Sequence, residues 1–340
     1  MKAVPRLPIL LFAAATLAYS TITQEFIYTE APFPSAHAST IVELKNGDLL
    51  SAWFGGGAEG KNDVAIWGSR RSEGKWSEPV ELVREPEIAC YNPVFFYTAD
   101  AKLWLYYKFG PNPQTWTAGR RFSTDEGKTW SAVEHLPAGL YGPIRAKPLV
   151  LANGIVVSGT SVESYKSWSV WIERSTDNGQ TWTRIGPITA PEPASATTGN
   201  YGIIQPSVIR LRDGTLRLYA RSTSQIAKIC VSDSKDDGLH WSPVHTLDMP
   251  NPNSGLDAVG LRDGRVVLIF NNTPKGRSPL NLAVSTDGEH FRLFHTLESE
   301  PGGEFSYPSM IQARNGDLYA TYTWQRKRIR HARIPLADIP

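Results

Sequence analysis

Two stretches decide how this chain is read: Ser123-Thr-Asp125-Glu-Gly127-Lys-Thr129-Trp130 and Ser175-Thr-Asp177-Asn-Gly179-Gln-Thr181-Trp182. Their chemistry is that of a tight turn. The Asp carboxylate accepts backbone N–H bonds, the Gly takes the left-handed position, and the Trp packs between sheets. A looser copy is Ser234-Lys-Asp236-Asp-Gly238-Leu-His240-Trp241, and Ser285-Thr-Asp287-Gly288-Glu-His-Phe291 is one residue shorter. A worn copy, Ser72-Glu-Gly74-Lys-Trp76, lacks the Asp.

Between these turns lies a second repeated pattern, two apolar strands joined by a short polar turn. The turns are Asn46-Gly47, Ala99-Asp100, Asn153-Gly154, Asp213-Gly214, Asp263-Gly264 and Asn315-Gly316. Asn-Gly and Asp-Gly between apolar runs are strong hairpin signals. The copies recur about 50 to 60 residues apart, within propeller range, so the repeat overrides a two-domain reading based on length. Six inner hairpins and five outer ones leave one outer hairpin to find. Glu25–Glu30 and Arg328–Ile339 each offer a strand for it, and pairing the two ends would close the ring and remove free sheet edges. The expectation is an all-β, six-bladed propeller forming a single domain over residues 21–340.

Composition narrows the partners. Lys and Arg total 35 against 33 Asp and Glu, a balance that argues against nucleic acid. The one basic cluster, Gln325-Arg326-Lys327-Arg328-Ile329-Arg330, reads as a solvated outer strand. At the N-terminus, Lys2 and Arg6 precede an apolar run from Leu7 to Ala18, with small residues up to Ser20. That is the pattern of a secretory signal over residues 1–20, too short for a membrane span. The mature protein is therefore expected to be secreted or periplasmic, soluble and monomeric. Cys90 and Cys230 fall in non-adjacent blades and are expected as unpaired thiols. No metal site and no cofactor are expected.

In a propeller the start of each inner strand faces the central funnel. That rule selects His37, Tyr91, Asn92, Arg145, Lys147, Gln205, Asn253, Asp257, Glu304 and Tyr307. Polar groups from six blades then converge on one mouth, where a ligand can be held.

The turn pattern resembles the Asp-box, or BNR, repeat S-x-D-x-G-x-T-W of the sialidase superfamily, and the resemblance spans nearly the whole mature chain. In that family the boxes are structural, so their Asp residues are not catalytic candidates. The family opens blade one with an arginine ten residues before the hairpin Gly; here that position is His37. Its second arginine matches Arg221 in Tyr219-Ala220-Arg221, and its third matches Arg277. Its nucleophilic tyrosine, nine residues before the last hairpin Gly, matches Tyr307. Gln205 stands where the family has the glutamate that takes the tyrosine proton. The acid/base aspartate has no clean counterpart; Glu59 and Asp63 are the candidates for that role.

Two guanidinium forks fix a carboxylate, so Arg221 and Arg277 point to a sialic or uronic acid. Arg145, Lys147, Asn92, Asp257 and Glu304 are further candidates for binding it. A tyrosine nucleophile avoids repulsion beside an anionic sugar but needs a base, and Gln205 is not one. His37 titrates near neutrality and can serve as acid or base. Three readings stay open. The first is a sialidase-like exo-glycosidase. The second is a hydrolase or lyase on uronate glycans, of the rhamnosyl-glucuronate type, using His37. The third is a non-catalytic glycan-binding propeller.

Overall fold

The computed structural model describes residues 21–191 and 199–340. The expected signal sequence, residues 1–20, lies outside the described residues. The chain winds through six antiparallel blades, each running outward from the central axis. Blade 1 begins with Ser35–Glu43 and Leu49–Gly56, followed by Ala65–Ser72, which pairs with both Lys75–Trp76 and Val80–Val83. Blade 2 comprises Cys90–Tyr97, Leu103–Phe109, Thr117–Ser123 and Glu134–His135, and blade 3 Leu149–Val150, Val156–Glu163, Ser167–Ser175 and Thr183–Ile188. Blade 4 is Tyr201–Arg210, Leu216–Ser222, Lys228–Ser234 and His245–Pro250, and blade 5 is Asp257–Gly260, Val266–Phe270, Leu280–Ser285 and Arg292–Glu298.

Blade 6 takes Phe305–Gln312, Leu318–Trp324 and Arg328–Ile334 from one end of the chain, with Thr23–Phe26 from the other as its outermost strand. The register runs from Thr23 opposite Arg333 to Phe26 opposite Arg330. The missing outer hairpin is thus made by the two termini. The strand on the N-terminal side starts two residues earlier than the Glu25–Glu30 expectation, and the chain leaves the sheet after Phe26 to enter blade 1.

Ring closure is visible in the core. Each pair of neighbouring blades shares its own apolar cluster: Leu50 and Phe95 belong to the one between blades 1 and 2, Phe96 and Val156 to the next, and Val157 and Val208 to the next. Ile209 and Ala258 lie between blades 4 and 5, Ile269 and Met310 between 5 and 6, and Ile329 and Trp53 between 6 and 1. Sheets buried on both faces read as near-continuous apolar runs, which explains why the inner strands lack a clean alternation. Cys90 and Cys230 are buried and unpaired, in blades 2 and 4.

The Asp boxes bind these layers together. Ser123 Oγ donates to Asp125 Oδ1 at 2.7 Å, Thr129 N to the same oxygen at 2.8 Å, and Thr129 Oγ1 to Asp125 Oδ2 at 2.6 Å. The box Gly then lies against the preceding blade. At Gly288 (φ 75°) a Cβ would come within 2.8 Å of Leu211 and 2.9 Å of the Tyr219 hydroxyl in blade 4, so no side chain fits there. The worn copy has lost this function, since a Cβ at Gly74 would meet nothing within 4 Å. Boxes and inner-hairpin turns lie at one end of the propeller. Inner-strand starts and the turns after each second strand therefore share the opposite end. Among the described residues, no helix is long and apolar enough to cross a membrane.

Candidate active site

Four inner strands enter the funnel through the same irregularity. The ladders slip between His37 and Thr40, Tyr91 and Val94, Ile204 and Ser207, and Ser306 and Ser309. At these slips Ala38, Asn92, Gln205 and Tyr307 adopt φ of 54°, 40°, 54° and 50°. Non-glycine residues there carry about 1–3 kcal/mol of strain each, tolerated where the surroundings over-determine them. The bulge lets successive residues face the axis where regular pleating would turn one away.

Tyr307 is the centre of the resulting cluster. Arg221 Nη1 donates to its hydroxyl at 2.7 Å and Gln205 Nε2 reaches the same oxygen at 3.5 Å. Arg221 also donates to Gln205 Oε1 at 3.1 Å and, through Nε, to Asn253 Oδ1 at 2.8 Å. The guanidiniums of Arg145, Arg221 and Arg277 lie 5.8, 5.8 and 5.3 Å from the Tyr307 ring centre. Burial would raise the phenol's pKa. The charges of Arg221 and Arg277, with the hydrogen bond from Gln205, outweigh it and bring the phenol below its ordinary value.

His37 packs its ring 4.3 Å from that of Tyr307 and shares a 2.9 Å hydrogen bond with Thr323 Oγ1 through Nδ1. Its Nε2 is buried without a partner. Burial, reinforced by the charges of Arg326, Arg277, Arg221 and Arg145, holds its pKa well below the usual histidine range, so the ring is neutral. Glu304 bridges two arginines, accepting from Arg277 Nη1 at 2.9 Å and pairing with Arg326 Nε at 3.4 Å. Its Oε2 is buried without a partner. Glu59 pairs with Arg326 at the mouth. Asp63 instead closes its own loop, accepting from Gly57 N at 2.8 Å, so of the two blade-one carboxylates only Glu59 is joined to the arginine cluster.

Other sequence candidates serve the frame. Arg145 donates to the carbonyls of Pro308, at 2.7 Å, and Leu256; both terminal nitrogens are engaged and it forms the floor under Tyr307. Asp257 accepts from Ser207 Oγ, Ala258 N, Met310 N and Lys147 Nζ, the last at 3.0 Å, so this pair ties inner strands together. Asn92 donates to the Ile144 carbonyl at 3.2 Å. Each of the four ligand candidates Arg145, Lys147, Asn92 and Asp257 thus makes bonds within the protein, although Arg145 Nε is buried without a partner. The reading of the basic cluster as a solvated strand also needs correcting. Arg328 and Arg330 do lie on the outer strand, over Phe26, but Arg326 sits in the turn before it and faces the funnel.

Two residues escaped the sequence reading: Arg326 and Glu163. Arg326 lies in the turn after the second strand of blade 6, as Glu59 and Arg277 lie in those of blades 1 and 5, and Glu163 is the last residue of the second strand of blade 3. Those turns reach the mouth as surely as the inner-strand starts do, and scanning them for charged residues would have found Arg326.

Fold and site together define a sialidase-like six-bladed propeller, a glycoside hydrolase-like fold with an arginine-lined mouth around a tyrosine. The chain belongs to the BNR repeat-like domain family, whose model matches residues 47–320. No curated protein sequence matches it. Among solved structures it is similar to a protein of unknown function from Dyadobacter fermentans, with TM-score 0.76 and 16% identity, covering 92% of this chain and 99% of that one. It is similar to the NanB sialidase from Streptococcus pneumoniae, with TM-score 0.73 and 15% identity over 93% of this chain and 71% of that one. The intramolecular trans-sialidase from Ruminococcus gnavus gives TM-score 0.69 and 11% identity over 89% and 95% of the two chains.

Proposed function

We propose that this chain is an exported, monomeric exo-glycosidase acting on a terminal sugar that carries a carboxylate, with sialic acid as the leading substrate. The observation that carries the reading is the Tyr307 hydroxyl accepting a hydrogen bond from Arg221 inside a ring of arginines. A phenol whose pKa is lowered in this way is a competent nucleophile without a strong base beside it. Arg221, Arg277 and Arg326 supply the guanidiniums for the substrate carboxylate. In the reaction Tyr307, as the phenolate that has given its proton to water, bonds to the anomeric carbon as the glycosidic C–O bond breaks. When Arg326 turns to the substrate carboxylate, Glu59 is released to serve as the acid toward the leaving oxygen and then as the base toward the water that releases the sugar. The similarity to solved sialidases supports this reading.

The test is release of free sialic acid from a sialoside. It is abolished in Tyr307→Phe and reduced at least tenfold in Arg221→Ala and Arg277→Ala. Activity on acidic substrates that survives both arginine changes sinks the proposal.

One observation favours a second reading. His37 is neutral, buried and unpartnered at Nε2 beside Tyr307, the arrangement a uronate lyase needs in order to move the proton next to a neutralised carboxylate. Absorbance from a 4,5-unsaturated uronate, lost in His37→Ala, would select it. Saturable binding of acidic glycans with no product would leave a binding propeller.

A further inference from the structure

A cavity of about 450 Å³ opens at the mouth end of the propeller, where blade 6 meets blade 1. Two segments line it. Tyr28, Thr29, Glu30 and Phe33 come from the connection between the outermost strand of blade 6 and the inner strand of blade 1. Lys327 and Arg328 come from the hairpin that follows the second strand of blade 6. The fold fixes both. Ile27 N donates to the Ile329 carbonyl and Ala36 N to the Arg326 carbonyl, each at 3.0 Å. Tyr28 stacks on Trp53 with ring centres 5.1 Å apart and meets Phe33 edge-on at 5.8 Å. A cavity held in this way exists before a ligand arrives, and its volume is in the range of small-molecule sites.

Its charge is unbalanced. On the same hairpin Arg326, Arg330 and Arg333 pair with Glu59, Glu298 and Asp317. Lys327 and Arg328 have no ion-pair partner among the described residues, and both line the cavity. Arg328 lies over the Phe26 ring, 5.1 Å from its centre, a contact that uses the face of the guanidinium and leaves its N–H edge for a ligand. Glu30 is the one carboxylate in the lining, so the cations outnumber it. Glu30 and the Thr29 hydroxyl suit the hydroxyls of a sugar, and the two cations suit an anionic group.

The cavity adjoins the chemistry. Arg326 precedes Lys327 in the same turn and pairs with Glu59. A general acid must reach the leaving oxygen by a hydrogen bond, so the sugar attached to that oxygen passes out beside Glu59 and this turn. We infer that the cavity is a leaving-group subsite for a penultimate sugar bearing a sulfate or a carboxylate. The leaving-group role rests on the function proposed above; the anion site itself does not.

The experiment has a binding arm and a kinetic arm, both on the full chain. Galactose, galactose 6-sulfate and galacturonate are titrated by calorimetry. The acids should bind about fivefold tighter than galactose, and the stronger of the two identifies the anionic group. That preference should vanish in Lys327→Ala/Arg328→Ala and persist in Arg221→Ala/Arg277→Ala, whose changes lie in the funnel. Lys327→Ala alone, at an exposed position, should lose part of it and serves if the double variant is unstable. In the kinetic arm a sialoside with a 6-sulfate on its penultimate galactose should be cleaved with about fivefold higher kcat/KM than the unsulfated one, and Lys327→Ala/Arg328→Ala should not discriminate. Equal affinity for galactose and the acids, no binding of either acid at millimolar concentration, or a preference lost with the funnel arginines and kept without Lys327 and Arg328 overturns the inference. Sialoside cleavage with no acid preference leaves the proposed function standing and removes this site. Acid binding at the cavity with no sialoside cleaved keeps the anion site and refutes its leaving-group role together with the proposed function.

Discussion

Replacing Arg221 by methionine removes the cation nearest the Tyr307 oxygen while keeping much of the side chain's length. In the native site Arg221 Nη1 lies 2.7 Å from that oxygen. Two unit charges about 4 Å apart at an effective dielectric of about 20 interact by about 4 kcal/mol. At 1.36 kcal/mol per unit this is about three pKa units, an upper bound because Arg277 stays in place and the site relaxes. The phenol of Arg221→Met should therefore titrate about one to three units higher than in wild type. The assay is alkaline phenolate absorbance, taken as the difference between each protein and its Tyr307→Phe counterpart. The subtraction is needed because the chain has 13 tyrosines. Tyr28, Tyr107, Tyr219 and Tyr322 are pushed well up by burial and stay silent in this range. Arg221→Met also leaves Asn253 Oδ1 and Gln205 Oε1 without a donor, a stability loss of about 1–3 kcal/mol that a thermal melt will report. Arg221→Lys is the control that keeps the charge and loses the fork, and its shift should be the smaller. If the Tyr307 midpoint is the same in wild type and Arg221→Met, the arginines do not activate the phenol and the electrostatic reasoning is wrong.

Three further outcomes follow from the same geometry. Glu59→Gln should lower kcat on an acidic glycoside about 10²–10⁴-fold, while Asp63→Asn, which perturbs only a loop hydrogen bond, should change it less than about tenfold; the reverse order in steady-state kinetics would reassign the acid. Asp177→Ala removes the bonds from Ser175 Oγ and from the Thr181 amide and hydroxyl, and should cost about 1–2 kcal/mol in urea unfolding without changing glycan affinity. Glu173, buried in blade 3, accepts the amides of Tyr141 and Gly142 at 2.8 and 2.6 Å, and burial pushes its carboxyl up to about 7 from 4.5. The folded state therefore binds the proton more tightly than the unfolded one, so this carboxyl favours folding fully below pH 4.5 and the benefit is lost as pH rises through about 7. Over that window wild type should lose up to about 3 kcal/mol relative to Glu173→Gln, and parallel stability curves for the two proteins would refute the assignment.

The blades were legible because what specifies them is local. Asn46-Gly47 and its equivalents close hairpins through contacts two residues apart, as when Asp48 N donates to Asn46 Oδ1 at 3.1 Å. The boxes close through bonds between residues four apart, as from Thr129 to Asp125, and their turn chemistry reads directly from residue types. Counting blades, and expecting the termini to share one, needed nothing more. Tyr307, Arg221 and Arg277 were found by their place relative to those turns. What they meet was not. Gln205 and Tyr307 are 102 residues apart in the chain, and Arg326 and Glu59 are 267 apart. Only ring closure brings them to one mouth. Tertiary structure alone decided which carboxylates and arginines remain free for chemistry. Lys147 and Asp257 share a strand-start position with Glu304, yet the first two bind strands together while Glu304 joins the arginine cluster. Glu163 carries no local signature at all. Its raised carboxyl comes first from burial, which packing between blades creates and no single blade encodes.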